Sequence, residues 1–454
     1  MTTELQEYAT RIELLAQRLG LDYYPVDFEM APASLMTEIA VYGLPVRMPH
    51  WSFGVRYIHQ LVRQSMGHSK IFEVMFPGDP CRAFLMDGNS LAENTLVTAH
   101  VLGHADFAKN NQLFARFHAM AGGNIVETAA AHAHRIQLAI EAHGVEKVES
   151  VLDAALALES HVAVDAELHR ARYPEFAAQK KAKAAPTDFQ KRFQQLPGNA
   201  EPVMPDLGPV RAAIPPHPEY DLLWFLANYA PELEQWERDI FLMVRAESLY
   251  FYPVFACQIM NEGWASYWHA RLLREADFLP HHLYLSAIKA HSDVVRPFAS
   301  GEQTALSLNP YYLGFILWER IVERYGIERA REVCRDEDDF GFVLNWLDEE
   351  LAAEANLFVY ELRPGDEIRV ASKDIAAVRE AILAPKFNFG APRVAATEMK
   401  HDGSLDMAHD HRSDGRGLDL SRAKRVLDYA RRVWRRPVRL HTVNERGEAV
   451  ELAA

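Results

Sequence analysis

The chain has 454 residues, 49% of them hydrophobic and 24% charged, with a formal net charge of −15 at pH 7. That length exceeds what one simple core organises, so two or three domains are expected. The acidic balance excludes a general nucleic-acid partner, whose phosphates need a basic surface, and no apolar run approaches the roughly 18–20 residues that span a bilayer.

In chain order, residues 1–176 read as an N-terminal helical region with a small hairpin. The start, Met1-Thr2-Thr3-Glu4, has no basic segment before an apolar core, so no secretory signal is expected. Apolar periodicity predicts helices over 5–19, 53–66, 93–110, 125–143 and 145–161. Between the second and third, 71–76 and 82–86 read as strands joined by Pro77-Gly78-Asp79-Pro80. Residues 177–218 hold eight prolines and Lys180-Lys181-Ala182-Lys183, and are expected to form a linker or surface excursion. A central helical region follows over 219–354, with helices at 222–229, 233–252, 255–275, 282–295, 311–325 and 340–353. From 355 to 454 the period shortens. Strands at 367–371, 392–397, 404–409, 437–442 and 449–452, with helices at 374–383 and 421–434, describe an α+β module. The fold class expected is thus a mainly α-helical multi-helix body with a small C-terminal α+β module. Cys81, Cys257 and Cys334 are scattered, with no C-x-x-C, as in a cytoplasmic protein with reduced thiols.

Two helical segments carry residues that packing alone does not want. In Met260-Asn261-Glu262-Gly263-Trp264-Ala265-Ser266-Tyr267-Trp268-His269, Glu262 and His269 lie seven residues apart. Seven steps of about 100° return to within roughly 20° of the starting direction, so both project from one stripe. Burying a carboxylate and an imidazole costs several kcal/mol (roughly) unless each is paired or metal-bound. In Ala99-His100-Val101-Leu102-Gly103-His104, the histidines stand at i, i+4, a spacing at which both rings reach one ion. The glutamate of an H-E-x-x-H motif is missing, because Val101 follows His100, and Glu262 is the candidate to replace it as general base. By chance alone, two histidines at this spacing are as readily a hydrogen-bonded pair. His291, after a short connection, offers a third nitrogen, or else pairs with Asp293 on the helix surface. Lys109, Asn110 and Asn111 either hold an anionic or peptide-like substrate or end a helix, and His50, at a helix start with Ser52, either lines the cleft or stabilises the cap.

The chain resembles the stage V sporulation protein R (SpoVR) family over nearly its whole length. The matching blocks are Tyr24-Pro25-Val26-Asp27-Phe28-Glu29, Met48-Pro49-His50-Trp51-Ser52-Phe53-Gly54, 99–111, 259–269, Ala290-His291-Ser292-Asp293-Val294-Val295 and Leu308-Asn309-Pro310-Tyr311-Tyr312-Leu313-Gly314-Phe315. The resemblance implies a role in forming the spore cortex, a modified peptidoglycan, or in stress and stationary phase where the host does not sporulate. It also implies a serine protein kinase and a partner with a von Willebrand-type domain as companions, and a peptidoglycan precursor or cell-wall peptide as substrate.

No phosphate loop, dinucleotide fingerprint or G-x-S-x-G elbow is present, so no nucleotide cofactor is expected. The leading expectation is metal-assisted hydrolysis or transfer at an amide-type bond. His100, His104 and His269 would be ligands, His291 an alternate, Glu262 the general base, and zinc the default divalent metal. The other expectation is a non-catalytic regulatory or scaffold protein acting with the kinase and its partner, its histidines a structural polar network. The arginines of 422–436 are expected to form a solvated or docking helix face.

Overall fold

A computed structural model describes residues 2–65, 72–120, 124–166, 170, 173, 213–297, 308–363 and 367–454. The expected proline-rich excursion lies outside the described residues as far as residue 212. In chain order the elements are α1 (Thr3–Arg18), β1 (Val26–Ala31), α2 (Ala33–Tyr42), α3 (Trp51–Ser65), β2 (Glu73–Phe76), β3 (Cys81–Met86), α4 (Leu91–Asn110), α5 (Gln112–Met120), α6 (Ile125–His143), α7 (Val145–Ala157), α8 (Leu222–Tyr229), α9 (Gln235–Ala256), α10 (Gln258–Glu275), α11 (His281–Val294) and α12 (Pro310–Asp336). They continue with α13 (Asp339–Trp346), α14 (Glu349–Glu354), β4 (Val359–Arg363), β5 (Glu367–Ser372), α15 (Ile375–Leu383), a 3-10 segment (Ala384–Gly390), β6 (Val394–Met399), β7 (Leu405–His409), α16 (His411–Asp414), α17 (Leu420–Trp434), β8 (Val438–Val443) and β9 (Ala449–Ala453). This is the helical body with a C-terminal α+β module that the periodicity predicts. Among the described residues, no single helix is long and apolar enough to cross a membrane.

Two compact units form: residues 1–162 with 234–391, and 163–233 with 392–454. The first is built around α4 and α10. Ser90 opens α4 through a reciprocal capping box with Glu93, and the helix is buried on nearly every face from Ala92 to Ala108. Asp339 accepts the backbone N–H groups of Ile259 and Met260 at 2.9 Å each. That places a carboxylate at the N-terminus of α10, where the first-turn donors and the helix dipole favour it. Lys386 balances it at 2.9 Å.

Small residues set how closely the central helices approach. A Cβ built on Gly103 of α4 would lie 2.7 Å from Ala265 Cα on α10. On the opposite face, a Cβ on Gly263 would lie 2.4 Å from Gly314 Cα on α12. Three helices thus meet backbone to backbone, and side chains flanking these glycines are drawn into one cluster. A three-stranded sheet, ordered β1-β3-β2, flanks α4, with β1 parallel and β2 antiparallel to β3. The hairpin was expected; strand β1 was not.

The second unit is a four-stranded sheet ordered β6-β7-β8-β9, with α17 crossing between the parallel pair β7 and β8. Glu219 bridges to Ala396 of β6, and Phe225 of α8 stacks on Trp434 of α17 with centroids 5.7 Å apart. The boundaries expected at 176, 218 and 354 differ from these units for that reason. Residues 355–391 stay with the helical unit, where Arg379 of α15 donates to Leu347 O at 2.9 and 2.6 Å and Lys386 reaches Asp339.

Candidate metal centre

His100 and His104 project one turn apart from α4, and their ring centroids are 4.5 Å apart. Glu262 comes from α10, Glu73 from β2 and Tyr311 from the first turn of α12. Glu262 Oε2 lies 3.4 Å from His104 Nε2 and 3.7 Å from His100 Nε2, and Glu73 Oε1 lies 3.8 Å from His100 Nε2. One ligand atom each from Glu73, His100 and His104 falls within 4.8 Å of the others, a spacing that can hold a metal ion. Tyr311 stacks parallel to His100, with centroids 6.0 Å apart.

The imidazoles continue away from this point. His100 Nδ1 and His269 Nδ1 are 2.9 Å apart, and His269 Nε2 and His291 Nδ1 are 2.5 Å apart. Each contact needs one N–H and one lone pair, so the tautomers of the three rings are coupled. His104 is held separately, its Nδ1 donating to Asn261 Oδ1 at 2.8 Å. Both ligand-side rings are therefore fixed from behind, leaving Nε2 facing the two carboxylates. His100 Nε2 and Glu262 Oε2 are nevertheless buried without a hydrogen bond of good geometry. Such groups cost about 1–3 kcal/mol each when nothing satisfies them.

The two carboxylates differ in character. Burial pushes the Glu73 carboxyl up, against the pull of His100 and His104. Burial acts in the same direction on Glu262, but the charge of His104 and the rings of both histidines outweigh it and hold that carboxyl well below the usual range. His104 shows the reciprocal effect: burial disfavours its charge, yet Glu262 raises its pKa overall. Burial and the neighbouring His100 and His291 charges hold His269 well below the ordinary imidazole range. His291 is pushed down to about 4 by burial, Arg274 and His100. Burial, then the charges of Glu262 and Glu73, keep the Tyr311 phenol protonated.

A cavity of about 320 Å³ opens beside the cluster, lined by Glu73, His100, His269 and Tyr311 among mainly apolar residues. Glu262 and His104 are not among the residues that line it.

Of the residues singled out from the sequence, His100, His104, Glu262, His269 and His291 come together. Lys109, Asn110 and Asn111 do not join them. Lys109 pairs with Asp22, Asn110 donates to Asp22 O and Asp106 O, and Asn111 is buried, donating to Cys334 O at 2.8 Å. All three end α4 and tie it to α12 and the loop after α1. His50 also stands apart, between Ser52 Oγ at 2.7 Å and Asp153 Oδ1 at 3.0 Å. Asp293 pairs with Arg296 rather than with His291. Sequence reasoning missed Glu73 and Tyr311. Glu73 is the lone acid in the apolar strand segment 71–76, a detectable anomaly, and Tyr311 sits in the quoted block 308–315 without a pattern that marks it.

The family model described as SpoVR like protein matches residues 1–390, ending where the last segment of the second unit begins. The uncharacterized protein YcgB of Escherichia coli (strain K12) is 27% identical over 489 aligned positions, covering 99% of this chain and 93% of YcgB. No solved structure matches. The coverage of the family model, together with that full-length likeness, makes this chain a member of the SpoVR-like family.

Proposed function

We propose that the protein is a metal-dependent hydrolase or transferase acting at an amide-type bond, with His100, His104 and Glu262 as ligands and Glu73 as general base. The observation that carries this is the pair of buried, unsatisfied atoms, His100 Nε2 and Glu262 Oε2, facing His104 Nε2 at short range. Their separations of 3.4 and 3.7 Å approach the edge of about 3.3 Å in a tetrahedral site with bonds of ~2.0–2.1 Å. Two carboxylates and neutral imidazoles carry the charge that a divalent cation offsets, and the nitrogen and oxygen donors suit zinc best. When bound, such an ion polarises a carbonyl and lowers the pKa of a water toward ~7.

The roles differ from those expected of the sequence. What supports Glu262 as ligand is the position of its Oε2, 3.4 Å from His104 Nε2 and 3.7 Å from His100 Nε2. What supports Glu73 as base is that it alone of the two carboxylates lines the cavity. It would take the proton from the attacking water and return it to the leaving nitrogen as the C–N bond breaks. His269 would hold the His100 ring so that Nε2 faces the site, and His291 would hold His269. Tyr311 would donate its O–H within the same cluster.

The setting implied by the family belongs to this proposal: cytoplasmic, in spore-cortex formation or stress and stationary-phase envelope physiology, alongside a serine protein kinase and a von Willebrand-type partner. The scaffold alternative draws on one observation, the exposed basic face of α17, where the Arg422 side chain is 80% exposed.

Elemental analysis of the purified chain is the test. About one equivalent of divalent metal is expected. Glu262→Gln should lose it, while Glu73→Gln should keep it and lose turnover of a panel of acyl anilides. A chain that binds no metal even after incubation with zinc overturns the proposal.

A further inference from the structure

The cavity beside the cluster indicates what the site takes, on the premise that the proposed site is correct. One wall is a single stripe of α4, Glu93, Leu96, Val97 and His100, at i, i+3, i+4 and i+7. Ala290 and Val294, one turn apart on α11, form the facing wall, and Leu308 and Pro310 close it. The Glu93 carboxylate is engaged by the Ser90 N–H at 2.7 Å, as the cap of α4. Polar groups aimed at an occupant therefore gather where Glu73, His100, His269 and Tyr311 stand. Asn309 is engaged as the cap of α12, donating to Val294 O at 2.9 Å and Arg296 O at 2.8 Å and accepting from the Tyr311 N–H at 3.0 Å, and the rest of the lining is Phe72 and aliphatic groups.

We propose that this cavity receives an uncharged aliphatic acyl chain, so that the substrate class is a neutral amide of a medium-length fatty acyl group. Three observations carry it. Among the described residues lining the cavity there is no lysine or arginine to pair with an anionic ligand. The carboxylates of Glu73 and Glu262 together offset the charge of a divalent ion held there, so the polar end has no net positive charge for a carboxylate or phosphate. The walls away from the polar end are mostly apolar, with Phe72, Leu96, Val97, Ala290, Val294, Leu308 and Pro310, and gain by excluding water from an alkyl chain. The volume sets the length. A cavity of 150 Å³ holds benzene, so about 320 Å³ accommodates roughly a dozen non-hydrogen atoms. A peptidoglycan precursor or cell-wall peptide, the substrate class that the family's role suggests, is polar along its length and does not match this lining.

Isothermal titration calorimetry of the full chain with octanamide, octanoate and octylamine tests this, both with zinc added and after chelation. Octanamide should bind at least tenfold more tightly than either charged probe. Val97→Trp, which fills the cavity from α4, should weaken octanamide at least tenfold without changing metal content. If that variant does not fold, Ala290→Leu acts from the facing helix. Octanoate or octylamine binding as well as octanamide would overturn the inference, as would folded cavity-filling variants that bind octanamide like the parent. A chain that takes up no metal after incubation with zinc but still binds octanamide selectively supports the cavity assignment and overturns the hydrolase proposal, so the two fail separately.

Discussion

Replacing Gly314 by Ala tests whether the close approach of α10 and α12 is set by their backbones. The added Cβ would fall 2.1 Å from Ile259 O, 2.7 Å from Gly263 Cα and 2.9 Å from Gly263 N. An ordinary contact for such a carbon is about 3.5 Å or more. The helices must therefore part by more than an ångström, and all three obstructing atoms are backbone, which has no rotamer to yield. Alanine gains about 1 kcal/mol of helix propensity over glycine, which opposes the effect. Overpacking a tight core typically costs about 1–3 kcal/mol and sometimes more. Separating two fully packed helices belongs at the upper end, so a net loss near 2 kcal/mol or greater is expected. Gly54 of α3 is the control: a Cβ there meets nothing within 4 Å, and Gly54→Ala should stabilise by about 0.5–1 kcal/mol. Thermal melts of parent, Gly314→Ala and Gly54→Ala in one buffer give the comparison. A Gly314→Ala variant as stable as Gly54→Ala would refute the argument from backbone contact.

Other outcomes follow from buried groups. Arg47 and Glu247 pair at 3.0 Å with side chains 8% and 0% exposed, and His132 also bonds Glu247. Removing one partner should cost about 3–5 kcal/mol, and Arg47→Met with Glu247→Leu should recover part of that in denaturant titrations; equal losses for the single and double variants would contradict it. Burial pushes the Cys81 thiol up to about 11 and those of Cys257 and Cys334 well above their ordinary value. A raised thiol pKa means a protonated thiol at pH 8, so a thiolate-selective disulfide reagent should react only after unfolding; any native-state reaction counts against it. His291→Phe should weaken metal binding tenfold to a hundredfold by leaving His269 without its outer partner, as measured by competition with a chelator. Unchanged affinity would mean that His291 plays no positioning part.

Much of this architecture is legible in the chain because its signals are local. Ser90 and Glu93 announce the start of α4, and Asn124 that of α6, three residues before Glu127. Strand β1 escapes because its partner β3 lies some 50 residues away, and a parallel pairing leaves no turn between the two. The site divides in the same way. Glu262 with His269 and His100 with His104 each share a helix face, so spacing reveals them. Periodicity places His269 on the stripe of Glu262, but which neighbour its nitrogens meet depends on how α4 and α11 dock. Glu73 arrives from the sheet, and nothing in its own segment says that the strand edge turns toward α4. For Lys109, Asn110 and Asn111 the sequence leaves substrate binding and helix ending both open, for a related reason. Amides at a helix end serve the carbonyls around them, and only the tertiary structure shows that those carbonyls lie away from the cavity.

The second unit is made of two stretches of chain more than 150 residues apart, with Phe225 from the first resting on Trp434 from the second. Mapping by progressive deletion from the C-terminus would therefore mislead. A chain cut at residue 391 keeps Leu222, Leu223 and Phe225 but loses the sheet and helix that cover them, so it presents a sticky apolar face. Loss of binding in such a fragment would report aggregation rather than a missing epitope. Point reversals of charge at Arg422 and Arg432, exposed on α17, leave that packing intact and isolate what the surface itself contributes.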